Sequence, residues 1–258
     1  MTVLKNFFKE RKFNILGSAV AIALMWLVWI IAYYSVGNKL IVPSFNETAV
    51  CFFKNFASAE FWTALGGSLL RTLLAFLVSL LLAAVCAAGA SLSKTVKAVL
   101  KPIITFVRVL PTLAVSLIIL KLAQGDRSIP PAIVTVLVLF PAIYAQLIAE
   151  AEGLDGGLAE MAKAYNVSRR DRLFKIYLPH MLPATLSQCG ANISLGLKVT
   201  VSAEVLVNTA KGLGGMLQES SLAAETAQLA ALTVSAVIAG LLLDIAFSQL
   251  KRLTRKWC

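Results

Sequence analysis

An all-α integral membrane bundle of about six transmembrane helices is the fold class that the sequence predicts, and three observations carry it. Apolar runs of spanning length recur along the whole chain. Of its 258 residues, 59% are hydrophobic and only 14% charged, with a mean hydropathy of +0.81, values outside the range of a soluble domain. The lysines and arginines gather in short clusters between the apolar runs, as the turns of a membrane protein do.

Taken in order, residues 1–14 carry Lys5, Lys9, Arg11 and Lys12, and an apolar run of spanning length follows at 15–34. A signal peptide has a shorter apolar core and a small-residue cleavage site, so this run is expected to be a retained first span. Residues 35–63 mix Pro43, Asn46, Glu47 and Lys54 with Phe52, Phe53, Phe56, Phe61 and Trp62, the composition of an interfacial helix. Further spans are expected at 65–90, 103–122, 131–149, 181–206 and 229–250. Pro111 and Pro141 fall inside two of them and are expected to bend them.

Basic residues set the orientation. The N-terminus, the turn with Lys94, Lys97 and Lys101, the central loop with Lys163, Arg169, Arg170, Arg172 and Lys175, and the tail with Lys251, Arg252, Arg255 and Lys256 fall on one side. The opposite loops are poorer, with Lys39, Lys54, Lys121, Arg127 and Lys211, and Arg71 near a span end. The positive-inside rule therefore puts both termini and the central loop in the cytoplasm. No repeat or soluble segment divides the chain, which reads as a single transmembrane domain over 1–258.

The central loop, about 150–180, is a polar island. Asp155 is placed to cap a first helix whose apolar face is Leu158, Met161, Ala162 and Tyr165, with Glu160 and Lys163 turned away. Asn166 tolerates the left-handed conformation of a helix end, so a corner is expected there. Ser168 with Asp171 forms a capping box for a second helix, Leu173 to Leu178, which Pro179 is expected to close.

This stretch resembles the cytoplasmic loop of permease subunits of bacterial ABC importers, whose pattern is Glu-Ala-Ala, three residues, Gly, nine residues, Ile, one residue, Leu-Pro. Glu160, Ala162, Ile176, Leu178 and Pro179 match at full spacing, while Met161 replaces an Ala and Asn166 the Gly. VPSFNETAVCFF, the SLLR ending at Arg71, the RVLPTLAVSL starting at Arg108, the SAEV containing Glu204 and the KGLGGML starting at Lys211 are similar to the nitrate, sulfonate, taurine and bicarbonate branch of these permeases. The resemblance implies a type I ABC importer (MetI-like) architecture in a bacterial inner membrane, a homodimer with a second permease copy, two ABC ATPase subunits and an extracytoplasmic substrate-binding protein. It makes the loop a coupling helix, with ATPase-coupling roles on Glu160, Met161, Ala162, Asn166, Ser168, Ile176, Leu178 and Pro179. Alternating access driven by a separate motor follows from it.

The residues also exclude classes of function. The net charge of +11 is not arranged as a basic stripe, which argues against nucleic acid. Ala88 to Thr95, AGASLSKT, ends in Lys-Thr but has Ala88 and Ser93 where a phosphate loop needs glycines. Cys51, Cys86, Cys189 and Cys258 lack metal-ligand spacing, so neither a metal nor a cofactor is expected. The single histidine, His180, reads as an interfacial polar residue, and no catalytic group is assigned.

Polar residues inside spans are the pathway or interface candidates: Arg108, Asn192, Ser194, Lys198 and Glu204. Ser187, Ala191, Ser194, Lys198 and Ser202 form one small, polar stripe. Lys198 lines a pathway or subunit interface, or snorkels outward; Arg108 reaches either the cytoplasmic surface or a central cavity. Glu204 is rotated by about 120° from Lys198 on the helix, so the two are expected to meet other helices. The glycine-rich turn from Lys211 is read as close packing or contact with the binding protein. The cargo suggested is a small anion such as a sulfonate, nitrate or bicarbonate. The alternative from another class is a stand-alone secondary transporter or channel using Lys198 and Glu204 as an ion site.

Overall fold

The computed structural model describes residues 17, 20, 21, 23–154 and 156–249, and the side chains among them other than those of Ala159 and Lys163. The basic N-terminal cluster, the start of the expected first span, the Asp155 cap and the basic tail therefore lie outside the described residues. What is described is helical: α1 (Ala23–Val36), α2 (Phe45–Ala57), α3 (Ala59–Leu92), α4 (Lys94–Val109), α5 (Thr112–Leu122), α6 (Ile129–Glu152), α7 (Gly156–Ala164), α8 (Arg169–Arg172), a π turn (Leu173–Tyr177), α9 (Leu178–Val207), α10 (Leu213–Leu222) and α11 (Thr226–Ser248). Among the described residues, four stretches are long and apolar enough to cross a membrane: α3, α6, the continuous run Arg169–Val207, and α11. The pair α4 and α5 makes a fifth only as a broken span, bent by 90°.

How α3 packs is written in its small residues. Ala64, Ser68, Thr72, Ala75, Ser79, Ala83 and Ala87 are buried along one stripe, while Leu70, Leu74, Leu77, Leu81 and Val85 are exposed on the other. Lipid is as apolar as leucine, so close approach of backbones rather than hydrophobicity holds such helices together. Helices α6 and α9 pack against that stripe and against each other. Where the three meet, Thr200 Oγ1 lies 3.1 Å from Thr72 Oγ1 and 2.8 Å from Thr135 Oγ1. Gly196 lets Leu139, Thr72 and Thr135 close over it. Below this polar knot lies an apolar core of Phe76, Leu139, Ile143, Leu147, Met181 and Ile193.

The periphery follows local rules. Ser44 and Glu47 form the capping box of α2, so the interfacial segment expected over 35–63 is a helix only over Phe45–Ala57, and α3 already begins at Ala59. Helix α2 leans on α11, where Gln228 donates to Asn55 at 2.7 Å.

The prolines act in three different ways, and the expectation for Pro179 needs correction. The span expected at 103–122 is not one helix. Pro111 forces Leu110 out of the helical region, to φ −57°, ψ 127°, and the chain turns before α5 starts. Pro141, by contrast, sits within α6 without ending it, because α6 is held by α3 on one side and α9 on the other. Pro179 likewise does not close the second helix of the central loop, which runs on into α9. The Leu178 amide reaches the Leu173 carbonyl five residues back, a widened π turn that makes room for the proline ring at the start of α9.

Candidate functional site

The central loop is an arm of two short helices around a corner. Asn166 adopts φ +51°, and the Val167 amide donates to Ala162 O at 3.0 Å, the bond of a helix closed by a left-handed residue. Ser168 Oγ accepts the Asp171 amide at 3.0 Å and donates to Asp171 Oδ2 at 2.7 Å, while Lys175 pairs with Asp171 at 2.7 Å. Only one residue of the first helix's apolar face is tucked in. Ala162 is fully buried, whereas Leu158, Met161 and Tyr165 are exposed, Tyr165 by 79%. Glu160 is exposed beside them with no partner among the described residues. Ile176 is half-buried in the π turn, and Leu178 and Pro179 are exposed at the start of α9.

At the opposite end of α9, Glu204 is fully buried and takes three donors: Arg71 Nη1 at 2.6 Å, Ser68 Oγ at 2.6 Å and the Gly214 amide at 3.1 Å. Ser68 Oγ also receives the Leu213 amide at 2.9 Å, and Arg71 Nη2 donates to Lys211 O at 2.8 Å. One carboxylate thus ties α9 to α3 and to the start of α10. The glycines of the Lys211 turn are what allow it. A Cβ on Gly212 would lie 2.6 Å from the Glu204 carboxyl carbon, and one on Gly214 would overlap Glu204 and the Val201 carbonyl. The turn is shorter than expected, since α10 begins at Leu213, and its glycines are closely packed against α9.

These contacts redistribute the sequence-predicted pathway residues. Glu204 is consumed by Arg71, so the Lys198–Glu204 ion site of the alternative reading does not form. Asn192 is buried and exchanges two hydrogen bonds with Gln146, at 2.9 and 3.2 Å, which makes it a clamp between α9 and α6. Ser194 donates to Gly240 O of α11 at 2.7 Å. Arg108 and Lys198 remain exposed and have no partner among the described residues.

The structure brings those two cations to one groove. Arg108, just before the break at Leu110, lines a cavity of about 290 Å³ with Thr112, Val134, Val138 and Pro141. Lys198 lines the next, about 320 Å³, with Thr112, Ser116, Val134, Val138 and Ser202. Thr112, Val134 and Val138 belong to both, so the cavities adjoin along the face of α6. Lys198 and Ser194 also line a space of about 420 Å³ toward α11. A groove with apolar walls, hydroxyls and two unpaired cations has the chemistry to pass a small anion.

The role of Arg71 was missed in sequence, although its SLLR segment was noted; a cation near a span end looks like an orientation signal until its partner, 133 residues away, is known. Asp244, a half-buried carboxylate of α11 crowded against Gly190, also escaped notice.

Comparison with known proteins agrees with this fold. The chain is similar to the taurine transport system permease protein TauC of Escherichia coli (strain K12), with 26% identity over 249 residues, 94% of this chain and 88% of that one. It is 27% identical over 233 residues to the aliphatic sulfonates transport permease protein SsuC of the same organism, covering 89% and 87% of the two chains. The Bacillus subtilis (strain 168) SsuC is 24% identical over 237 residues, 91% of this chain and 85% of its own. A chain of a solved bacterial alginate ABC transporter, in complex with an alginate pentasaccharide-bound periplasmic protein, shares the fold with a TM-score of 0.62 at 14% identity, covering 94% of both chains. Residues 55–256 match the binding-protein-dependent transport system inner membrane component family, and to that family, the membrane-embedded permeases of ABC importers, this chain belongs.

Proposed function

We propose that the chain forms the translocation pathway of an ATP-driven importer for a small anion of the sulfonate class, with nitrate and bicarbonate as the neighbouring possibilities. The observation that carries the reading is the groove in which Arg108 and Lys198 face shared walls without a carboxylate to neutralise them. The relatives' names, taurine and aliphatic sulfonates, support the same class of cargo. Charged groups at such depth are expensive to maintain without a function.

The energy enters from outside the chain, through two ATPase subunits gripping the arm. The exposed face of Leu158, Met161 and Tyr165 is the docking surface, Glu160 its polar contact, and Ala162 the point at which the arm is anchored. A second copy of the chain completes the pathway, an extracytoplasmic binding protein delivers the cargo, and both termini lie in the cytoplasm with the arm. For ATP binding to reorient the groove, the arm must make different contacts in the two states, since equal contact would shift nothing.

The test is uptake of taurine into proteoliposomes holding the complete transporter. Lys198→Ala is expected to lower uptake by roughly tenfold, the scale of one lost charge-assisted hydrogen bond, while ATP hydrolysis continues. Glu160→Ala is expected to retain membrane insertion and separate hydrolysis from uptake. Full taurine transport by the Lys198 variant would remove the anion pathway, and full transport by the Glu160 variant would remove that residue's coupling role.

A further inference from the structure

At the arm end of the bundle a cavity of about 260 Å³ is walled by Ser91, Ser93, Lys94, Lys97, Glu152 and Arg172. It is assembled from five places in the chain: the end of α3, the start of α4, the end of α6, the short helix α8 of the arm and, through Tyr177, the π turn. Its charge is unbalanced. Three cations face one carboxylate, and Glu152 is already paired with Lys97. Lys94 and Arg172 have no partner among the described residues, and the Arg172 Nε is buried without a hydrogen bond.

An orphaned nitrogen of a charged group is among the more expensive things a protein can bury, so its presence asks for an acceptor. The other free groups are donors as well. Ser93 Oγ accepts the Val96 amide, which leaves its own hydrogen to give, and Lys94 offers an ammonium group. With its one carboxylate, Glu152, already paired with Lys97, a pocket that offers donors and surplus positive charge matches a ligand that accepts. Its volume is below the roughly 300 Å³ at which pockets for whole small molecules begin, but a single head group needs less.

We propose that this cavity binds a phosphate group, and that the source is the head group of an anionic phospholipid. The pocket lies where the apolar helix α3 ends, and Val96 and Val99 on α4 are exposed beside its lysines, offering apolar surface to the acyl chains. A phosphate held between Lys94 and Arg172 would join the arm to the α3–α4 turn. The site requires only that the chain be membrane-embedded, so it stands or falls separately from the anion pathway.

The full chain, reconstituted in nanodiscs of phosphatidylcholine with a minority of phosphatidylglycerol, is released for native mass spectrometry. Wild type is expected to retain phosphatidylglycerol, and Lys94→Gln with Arg172→Gln to lose retention by roughly tenfold or more, from about 1 kcal/mol per basic residue. Lys94→Arg keeps the charge and is expected to retain the lipid, which separates loss of the site from loss of the fold. In a parallel arm without anionic lipid, inorganic phosphate is titrated while thermal unfolding is followed. A phosphate-dependent stabilisation of wild type alone, with no lipid retained, would keep the phosphate site and reassign its source to a soluble ion. Equal lipid retention by wild type and the double variant, with no phosphate effect on either, would overturn the proposal.

Discussion

Glu204 shows how a single carboxylate can be kept inside a membrane bundle. Its side chain is fully buried and Arg71 retains only 16% exposure, so the carboxylate has no water to fall back on and the guanidinium little. Removing one leaves the other uncompensated, at a cost of about 3–5 kcal/mol. Arg71→Ala and Glu204→Ala are therefore each expected to lower thermal stability in detergent steeply. The double variant is expected to fall well short of the sum of the two, because the second change removes a charge already orphaned by the first. Strict additivity in that cycle would show that the two residues do not act as a pair. Little of this lock was legible in sequence. The glycines of the Lys211 turn announced close packing, and the sidedness of α9 showed that Glu204 must look to another helix, but the identity of the donor depends on a contact across the fold that no local period encodes.

At the scale of elements, the arm was the part most open to reading. The 3.6-residue period gave its first helix, and Asn166 and Ser168 gave its corner, because capping and left-handed turns are decided within a few residues. Asn166 holds φ +51°, where a residue with a Cβ is strained and a β-branched one more so. Asn166→Gly is thus expected to leave coupling intact, whereas Asn166→Val tilts the corner by about 1–2 kcal/mol and is expected to let ATP hydrolysis proceed with reduced uptake. Equal coupling in the two variants would show that the corner's geometry is not what transmits force. Pro179 was misread for an instructive reason. A proline constrains only the turn before it, and that turn escaped by widening, so the arm and α9 form one continuous lever rather than two pieces meeting at the membrane.

For the whole molecule, the apolar runs located the spans better than they counted them: about six were expected, and the described residues hold four helices of spanning length and the broken α4–α5 pair, with Ala23–Val36 a shorter apolar helix. They could not specify which crossing would be broken. Pro111 and Pro141 look alike in sequence, yet α6 is clamped between two neighbours and stays a single helix, while α4 and α5 lie on the flank and part at Leu110. Arg108 and Lys198 reach the same groove only because of that break. A helix interrupted inside a bilayer leaves the first-turn amides of α5 and the last-turn carbonyls of α4 without helical partners. Unpaired backbone survives at such depth only beside water or polar protein. The break at Pro111 therefore implies that this groove is wet before any cargo arrives. With the four native cysteines replaced, Thr112→Cys is expected to react with a membrane-impermeant thiol reagent, and Leu117→Cys, on an exposed apolar position of α5, to be silent. The two cations would then sit in a standing column of solvent, ready to exchange hydration for an anion rather than waiting for a dry passage to open.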